Sequence, residues 1–317
     1  AMAARRDPVT IVGVPLRPDA RRVVFAFGRS ANRTILSDPD LYRTTGQGLS
    51  GPRGSALRRI RNGLTRTRGE DHRQLRALLL AKLQRRAVDA MAPRIAEILD
   101  EELARWRAGT EIDLARETKR LSLRVASELL FGITDAAQAT RIAALLGEYM
   151  RRSYRLEVLA SRALARIPIS PYAALEHDAR RLEEETRRLI TARRSVGGGD
   201  DLLSALIEAR ADGRAALDDD ALVGQVTLLF GASYETTAQA LLFTLLLLAQ
   251  SPSELLALRA DSESATPGAR SERAARVVRE TLRLLPAVPH TIRIVRSETT
   301  LEGVDLRRGD RILQPGA

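Results

Sequence analysis

The 317-residue chain contains no cysteine. Disulfides, zinc–thiolate centres, iron–sulfur clusters and thiol nucleophiles are therefore excluded within it. Aromatic residues are scarce, at 3% with a single tryptophan, so the core must be built from aliphatic side chains. Histidine occurs three times, at 72, 177 and 290, and no two of these stand at metal-ligand spacing. The opening residues carry no apolar run of the signal-peptide kind, and the expectation is a cytoplasmic protein. The strongly apolar run from Ala240 to Ala249 is about half as long as a membrane span requires, so it reads as a buried helix, with no membrane partner.

Apolar residues make up 44% of the chain and charged residues 29%, the balance of a globular protein with a sizeable core. The formal charge is +11, from 51 basic and 40 acidic side chains, which raises the question of an acidic partner. The basic residues are nearly all arginine and alternate with acids along helical segments, as in Arg180-Arg181-Leu182-Glu183-Glu184-Glu185-Thr186-Arg187-Arg188. Such spacing describes solvated helix faces with ion pairs three or four residues apart. None of the sequence signatures of nucleic-acid binding is present, so an acidic protein is the better-fitting partner for a basic face.

β-Branched residues at Val9–Val12 and again from Val23 to Phe27 predict a small hairpin at the start. A short helix from about Ser30 closes at Ser37-Asp38-Pro39-Asp40. From Gln47 to Gly69 the chain is rich in glycine and arginine without periodicity, which predicts a long loop. Helical patterns follow over 70–86, 87–107, 113–131, 135–165 and 173–194, and resume at Asp201. Acids at 218–220 start a long helix running to about Gln250. A loop over 262–268, a helix to Leu285 and strands around Gly303 and Gly309 complete the pattern. The fold class is mainly α with small β-sheets, one piece at each end. The expected organisation is a single domain over 1–317: a β-rich start with the first helix over 1–46, a helical body over 70–285 built on a central helix at 220–250, and a β-rich end over 290–317.

Within the central helix stands Phe230-Gly231-Ala232-Ser233-Tyr234-Glu235-Thr236-Thr237-Ala238. A carboxylate followed by two hydroxyls in an apolar helix is costly unless each finds a partner or water, so it marks a candidate site. Glu280-Thr281-Leu282-Arg283 places an acid and an arginine on one helix face, followed by Leu284-Leu285-Pro286-Ala287-Val288-Pro289 and then Arg293. Asp71-His72-Arg73-Gln74-Leu75-Arg76 puts a histidine and an arginine four apart. Phe25-Ala26-Phe27-Gly28-Arg29-Ser30-Ala31-Asn32-Arg33 precedes Asp38-Pro39-Asp40. In this order and spacing the four segments resemble the cytochrome P-450 superfamily, of the soluble bacterial type. The resemblance implies a cytochrome P-450-like fold in which Glu235 and Thr236 handle protons beside bound oxygen, with Ala232 and Ser233 on the pocket wall. It also implies that His72, Arg76 and Arg293 hold the haem propionates and that Glu280 and Arg283 form a buried structural pair. The Gln47–Gly69 loop and the 166–174 region would cover the substrate.

Family members carry, beyond the strand that ends here near Leu313, an arginine-bearing meander and a glycine-rich loop with the cysteine ligand. Neither has a counterpart in this sequence, and a serine at 233 replaces the usual glycine. The expectation is a C-terminally incomplete fold without a thiolate for the iron. Three functions stay open. One is a haem-thiolate monooxygenase of a small hydrophobic molecule, served by an acidic ferredoxin-type redox partner, in which thiolate ligation favours oxygen–oxygen cleavage. Another is a haem-free homologue that supports a partner enzyme such as a glycosyltransferase in natural-product biosynthesis. The third is a haem-free homologue doing non-redox chemistry.

Overall fold

The computed structural model describes residues 9–12, 22–44, 51–155, 157–158, 167, 170–211, 217–264 and 271–315. They form two compact units, one from residues 1–47 and 243–317 and one from residues 48–242.

The first unit is built on a sheet that both ends of the chain share. Its strands are β1 (Val9–Val12), β2 (Val23–Ala26), β3 (Tyr42–Thr44), β4 (His290–Val295) and β7 (Arg311–Pro315), in the order β1-β2-β7-β4-β3. The two separate sheet pieces expected from sequence are thus corrected to one mixed sheet. Strand β2 pairs in parallel with β7, Val24 opposite Ile312, and the remaining pairings are antiparallel. Parallel pairing between strands from opposite ends leaves no local signature, because no short turn joins them. A separate hairpin, β5 (Thr299–Leu301) with β6 (Val304–Leu306), turns at Gly303, whose φ of 80° explains the glycine. Val24, Ala26, Tyr42, Val295, Leu301, Leu306 and Ile312 bury against Ala31 and Ile35 of helix α1 (Arg29–Ser37). Asp310 is buried at 3% exposure and accepts from Arg22 Nε at 3.1 Å and from the Arg307 amide at 2.8 Å. It clamps the start of β7 to the start of β2.

The second unit is helical: α2 (Ala56–Arg59), α3 (Gly69–Lys82), α4 (Arg85–Leu103), α5 (Leu114–Phe131), α6 (Ala136–Ser153), α7 (Pro171–Val196), α8 (Leu202–Ala211) and most of α9 (Asp219–Ala249). Starts coincide with caps the sequence advertises. Asp113 accepts from the Arg116 amide, Asp135 from Ala137, Ser170 from Ala173, and Asp218 from Ala221. Helix α5 stops at Gly132, which takes the left-handed conformation at φ 61°. The expected loop from Gln47 to Gly69 contains α2, and residues 45–50 lie outside the described set. Helix α6 ends at Ser153, short of the expected Ala165, and most of residues 156–169 are likewise outside it.

Helix α9 is long and apolar enough to cross a membrane by length and composition. Its first half belongs to the buried core of the second unit through Leu222, Val223, Val226, Phe230 and Tyr234, but the run Ala240–Ala249 expected to be buried is not: Leu245 and Leu246 are exposed and only Leu248 is buried. Helices α10 (Pro252–Ser264) and α11 (Glu272–Leu284) complete the first unit, α10 reaching into the segment expected as a loop from Ser262.

One close approach fixes the segment after α2. A Cβ on Gly224 would stand 2.5 Å from the carbonyl carbon of Asn62 and 2.7 Å from the carbonyl oxygen of Arg59, so only glycine fits. Next to it the fully buried Gln225 accepts from the Leu64 amide at 2.6 Å. The same segment is tied to α7. Glu176 accepts from the Ala56 amide at 2.8 Å, and Glu183 takes Arg59 through Nε at 2.7 Å and Nη2 at 2.8 Å.

Candidate active site

The acid and hydroxyls of the central helix lie in the second unit, on the stretch of α9 that packs against α5. Ser122 of α5 donates to the carbonyl of Tyr234 at 2.8 Å, fixing the register of the two helices there. Phe131 and Phe230 are 5.2 Å apart between centroids, and Phe230 and Tyr234 are 5.7 Å apart, so an aromatic ladder fills the seam. Tyr234 is fully buried and its hydroxyl has no hydrogen-bond partner among the described residues. Burial, together with the charge of Glu235, pushes its phenol well above the ordinary range.

Glu235 is half-buried and forms an ion pair with Lys119 Nζ at 2.8 Å. The same ammonium lies 5.7 Å from the centroid of the Tyr234 ring. Lys119 was not singled out from sequence. The available signal was its rarity, since the chain has only two lysines, at 82 and 119, among 51 basic residues. Thr236 Oγ1 donates to the Ala232 carbonyl at 2.9 Å, Thr237 Oγ1 to Ser233 at 3.0 Å, and Ser233 Oγ to Phe230 at 2.9 Å. The hydroxyls thus satisfy themselves on their own helix, which lowers their cost in an apolar setting. Ala232 is exposed and Ser233 half-buried. A cavity of about 350 Å³ in the first unit is lined by Leu247, Ser251, Glu254, Arg276, Glu280 and Thr281 among others, and none of Ala232, Ser233, Glu235 or Thr236 lines it.

Glu280 and Arg283 pair as their spacing dictates, at 2.6 and 2.8 Å, but their side chains are 56% and 62% exposed. The expected buried pair is therefore corrected to a solvated one. Helix α11 buries only Thr281, so its charged face stays in water. His72 and Arg76 lie one turn apart on α3, half-buried and exposed respectively. His177 is exposed on α7. Arg293 differs from the rest. In β4 its Nη1 donates to Thr44 Oγ1, while its Nε is buried with no partner among the described residues. Burial pushes this guanidinium below its ordinary range. A guanidinium stays charged in any protein, so a half-desolvated one with an orphaned donor is suited to an anion.

The fold is mainly helical, with a mixed sheet that pairs strands from both ends of the chain and an acid–threonine pair on its longest helix. The cytochrome P450 family model matches residues 40–316, and the chain belongs to that family. Pentalenene oxygenase of Streptomyces avermitilis is 27% identical over 262 residues, covering 80% of this chain and 58% of that protein. Cyclooctat-9-en-7-ol 5-monooxygenase of Streptomyces melanosporofaciens is 26% identical, covering 95% and 67%. Among solved structures, the retinoic acid-bound cyanobacterial CYP120A1 superposes with a TM-score of 0.76 at 21% identity, over 97% of this chain and 69% of that one. P450BioI in complex with an acyl carrier protein ligated to hexadec-9Z-enoic acid superposes with a TM-score of 0.77 at 19% identity, over 99% and 74%. These likenesses show the fold. The chain spans between about two fifths and two thirds of the length of the curated relatives it matches.

The family implies haem, and the residues present fit part of it. Arg293 offers a carboxylate a desolvated donor that is unpartnered among the described residues. A thiolate for the iron has no residue in these 317, since none is cysteine.

Proposed function

We propose that these residues carry the substrate-covering and proton-handling part of a bacterial cytochrome P450 monooxygenase that oxidises a small hydrophobic molecule in natural-product biosynthesis. The observation that carries the reading is the family match over 40–316 together with the acid–threonine pair at Glu235 and Thr236 on the central helix. Haem, when bound, supplies the oxygen-activating chemistry of such enzymes. In this reading Arg293 receives one of its carboxylates, and His72 and Arg76 present donors of the same kind on α3. Glu235 exchanges protons with solvent, to which its half-buried carboxylate has access. Thr236 keeps its hydroxyl on the Ala232 carbonyl until a better acceptor arrives. The named oxygenase relatives support the reaction class, and the basic surface suits an acidic ferredoxin-type redox partner in the cytoplasm.

A second reading, for chains whose haem is not held by a thiolate, is a haem-free homologue that supports a partner enzyme such as a glycosyltransferase. The ultraviolet–visible spectrum and metal content of the purified protein separate the two. Bound haem supports the oxygenase reading. A protein that is colourless, iron-free and inert to added hemin supports the second.

A further inference from the structure

We propose that Lys119 is the positioning residue for Glu235, holding the carboxylate on the α5 side of the central helix from a seat set by the Tyr234 ring. The inference rests on the reading of Glu235 as a proton-handling group and adds the partner that controls it.

Three observations converge on Lys119. Its ammonium is 2.8 Å from Glu235 Oε1, and among the described residues Glu235 forms no other ion pair. The same nitrogen lies 5.7 Å from the centroid of the Tyr234 ring, so the cation is held by a second, independent attraction. That ring is in turn immobilised, fully buried against Phe230, with its own carbonyl tied to Ser122. The seat is therefore rigid although both charged side chains are half-exposed, at 47% and 39%. Elsewhere this chain meets its buried acids with arginine, as at Arg59–Glu183, Arg152–Asp178 and Arg22–Asp310. An arginine fork would engage both carboxylate oxygens, whereas lysine is a point charge. The structure pairs Lys119 with Glu235 through Oε1.

The scarcity of lysine makes the test selective. In the full chain, acetylation by an N-hydroxysuccinimide ester is followed site by site by peptide mass spectrometry. Glu235→Gln is expected to raise the rate at Lys119 about two- to fivefold, the range of a partly exposed ion pair. Lys82, paired with Asp200, serves as internal control and should not change. With carboxyl-¹³C glutamate, the Glu235 signal, assigned by its loss in Glu235→Gln, should move in Lys119→Met and return most of the way in Lys119→Arg. All variants should melt with wild type, which separates positioning from folding. Unchanged acetylation at Lys119, or a Glu235 signal identical in Lys119→Met and wild type, overturns the proposal. Failure of the protein to take up haem would sink the oxygenase reading while leaving both of these readouts intact.

Discussion

Gly224→Ala isolates what tertiary structure adds to sequence, because the two levels give it opposite signs. Gly224 lies inside α9, where replacing glycine by alanine in an exposed helix stabilises by about 1 kcal/mol. Here the new methyl would stand 2.5 Å and 2.6 Å from the carbonyl carbon and amide nitrogen of Asn62 and 2.7 Å from the Arg59 oxygen. These are backbone atoms that cannot rotate away. The segment from Arg59 to Leu64 would have to retreat by nearly 1 Å, stretching the 2.6 Å bond from the Leu64 amide to Gln225. Overpacking of this kind costs about 3 kcal/mol at the upper end of its usual range. Setting this against the helix gain leaves a net loss of about 2 kcal/mol, which lowers Tm by about 3 °C in a protein of this size. Gly147→Ala in α6 is the control, since its methyl meets only the Arg151 guanidinium at 3.5 Å, an ordinary contact. It should gain up to about 1 kcal/mol. Urea and thermal denaturation of the two variants, with limited proteolysis across residues 51–68, decide the matter. A Gly224→Ala protein as stable as Gly147→Ala would refute the close approach on which the placement of this segment rests.

Glu280→Ala should melt with wild type, because its pair with Arg283 is solvated, and a clear drop in Tm would restore the buried pair. Tyr234→Phe removes a buried hydroxyl that has no partner among the described residues and should be neutral or stabilising in chemical denaturation, where the loss of a satisfied hydrogen bond would instead destabilise. Glu102→Ala should cost about 3 kcal/mol by the same assay, since it leaves Arg105, Arg120 and Arg124 converging on a buried vacancy. For Glu183, burial alone would push the carboxyl up, but hydrogen bonds from Arg59 and Arg187 outweigh it and hold it below the ordinary range. Its contribution is therefore complete above the unfolded value of about 4.3 and is lost as pH falls through the lower folded value, so Glu183→Gln should flatten the acid limb of a stability–pH profile.

Most helices were legible because their signals are local. Asp113 and Asp135 cap the helices they precede, Gly132 ends α5, and Ser170-Pro171 starts α7. The family too was legible in the sequence, through the order of four motifs that are each weak alone. What escaped was set by distant pairing. Nothing near Val24 announces Ile312 as its parallel neighbour, so one sheet read as two. Glu280 and Arg283 show their three-residue spacing in the sequence but not their exposure, which depends on what covers α11. Lys119 stands out in the sequence by its rarity alone, and its partner is not legible there, since only the packing of α5 on α9 brings it across 116 positions to Glu235.

The central claim is that the fold keeps a seat for the anionic edge of haem, with Arg293 as its desolvated cation. Hemin titration of the purified chain, followed in the Soret region, tests it most directly. Wild type is predicted to bind hemin saturably, Arg293→Ala to bind it at least about tenfold more weakly, as expected for loss of a charged hydrogen bond, and the reduced carbon monoxide complex to lack the thiolate band at about 450 nm. Equal affinity in wild type and Arg293→Ala, or no saturable binding in either, would contradict the account.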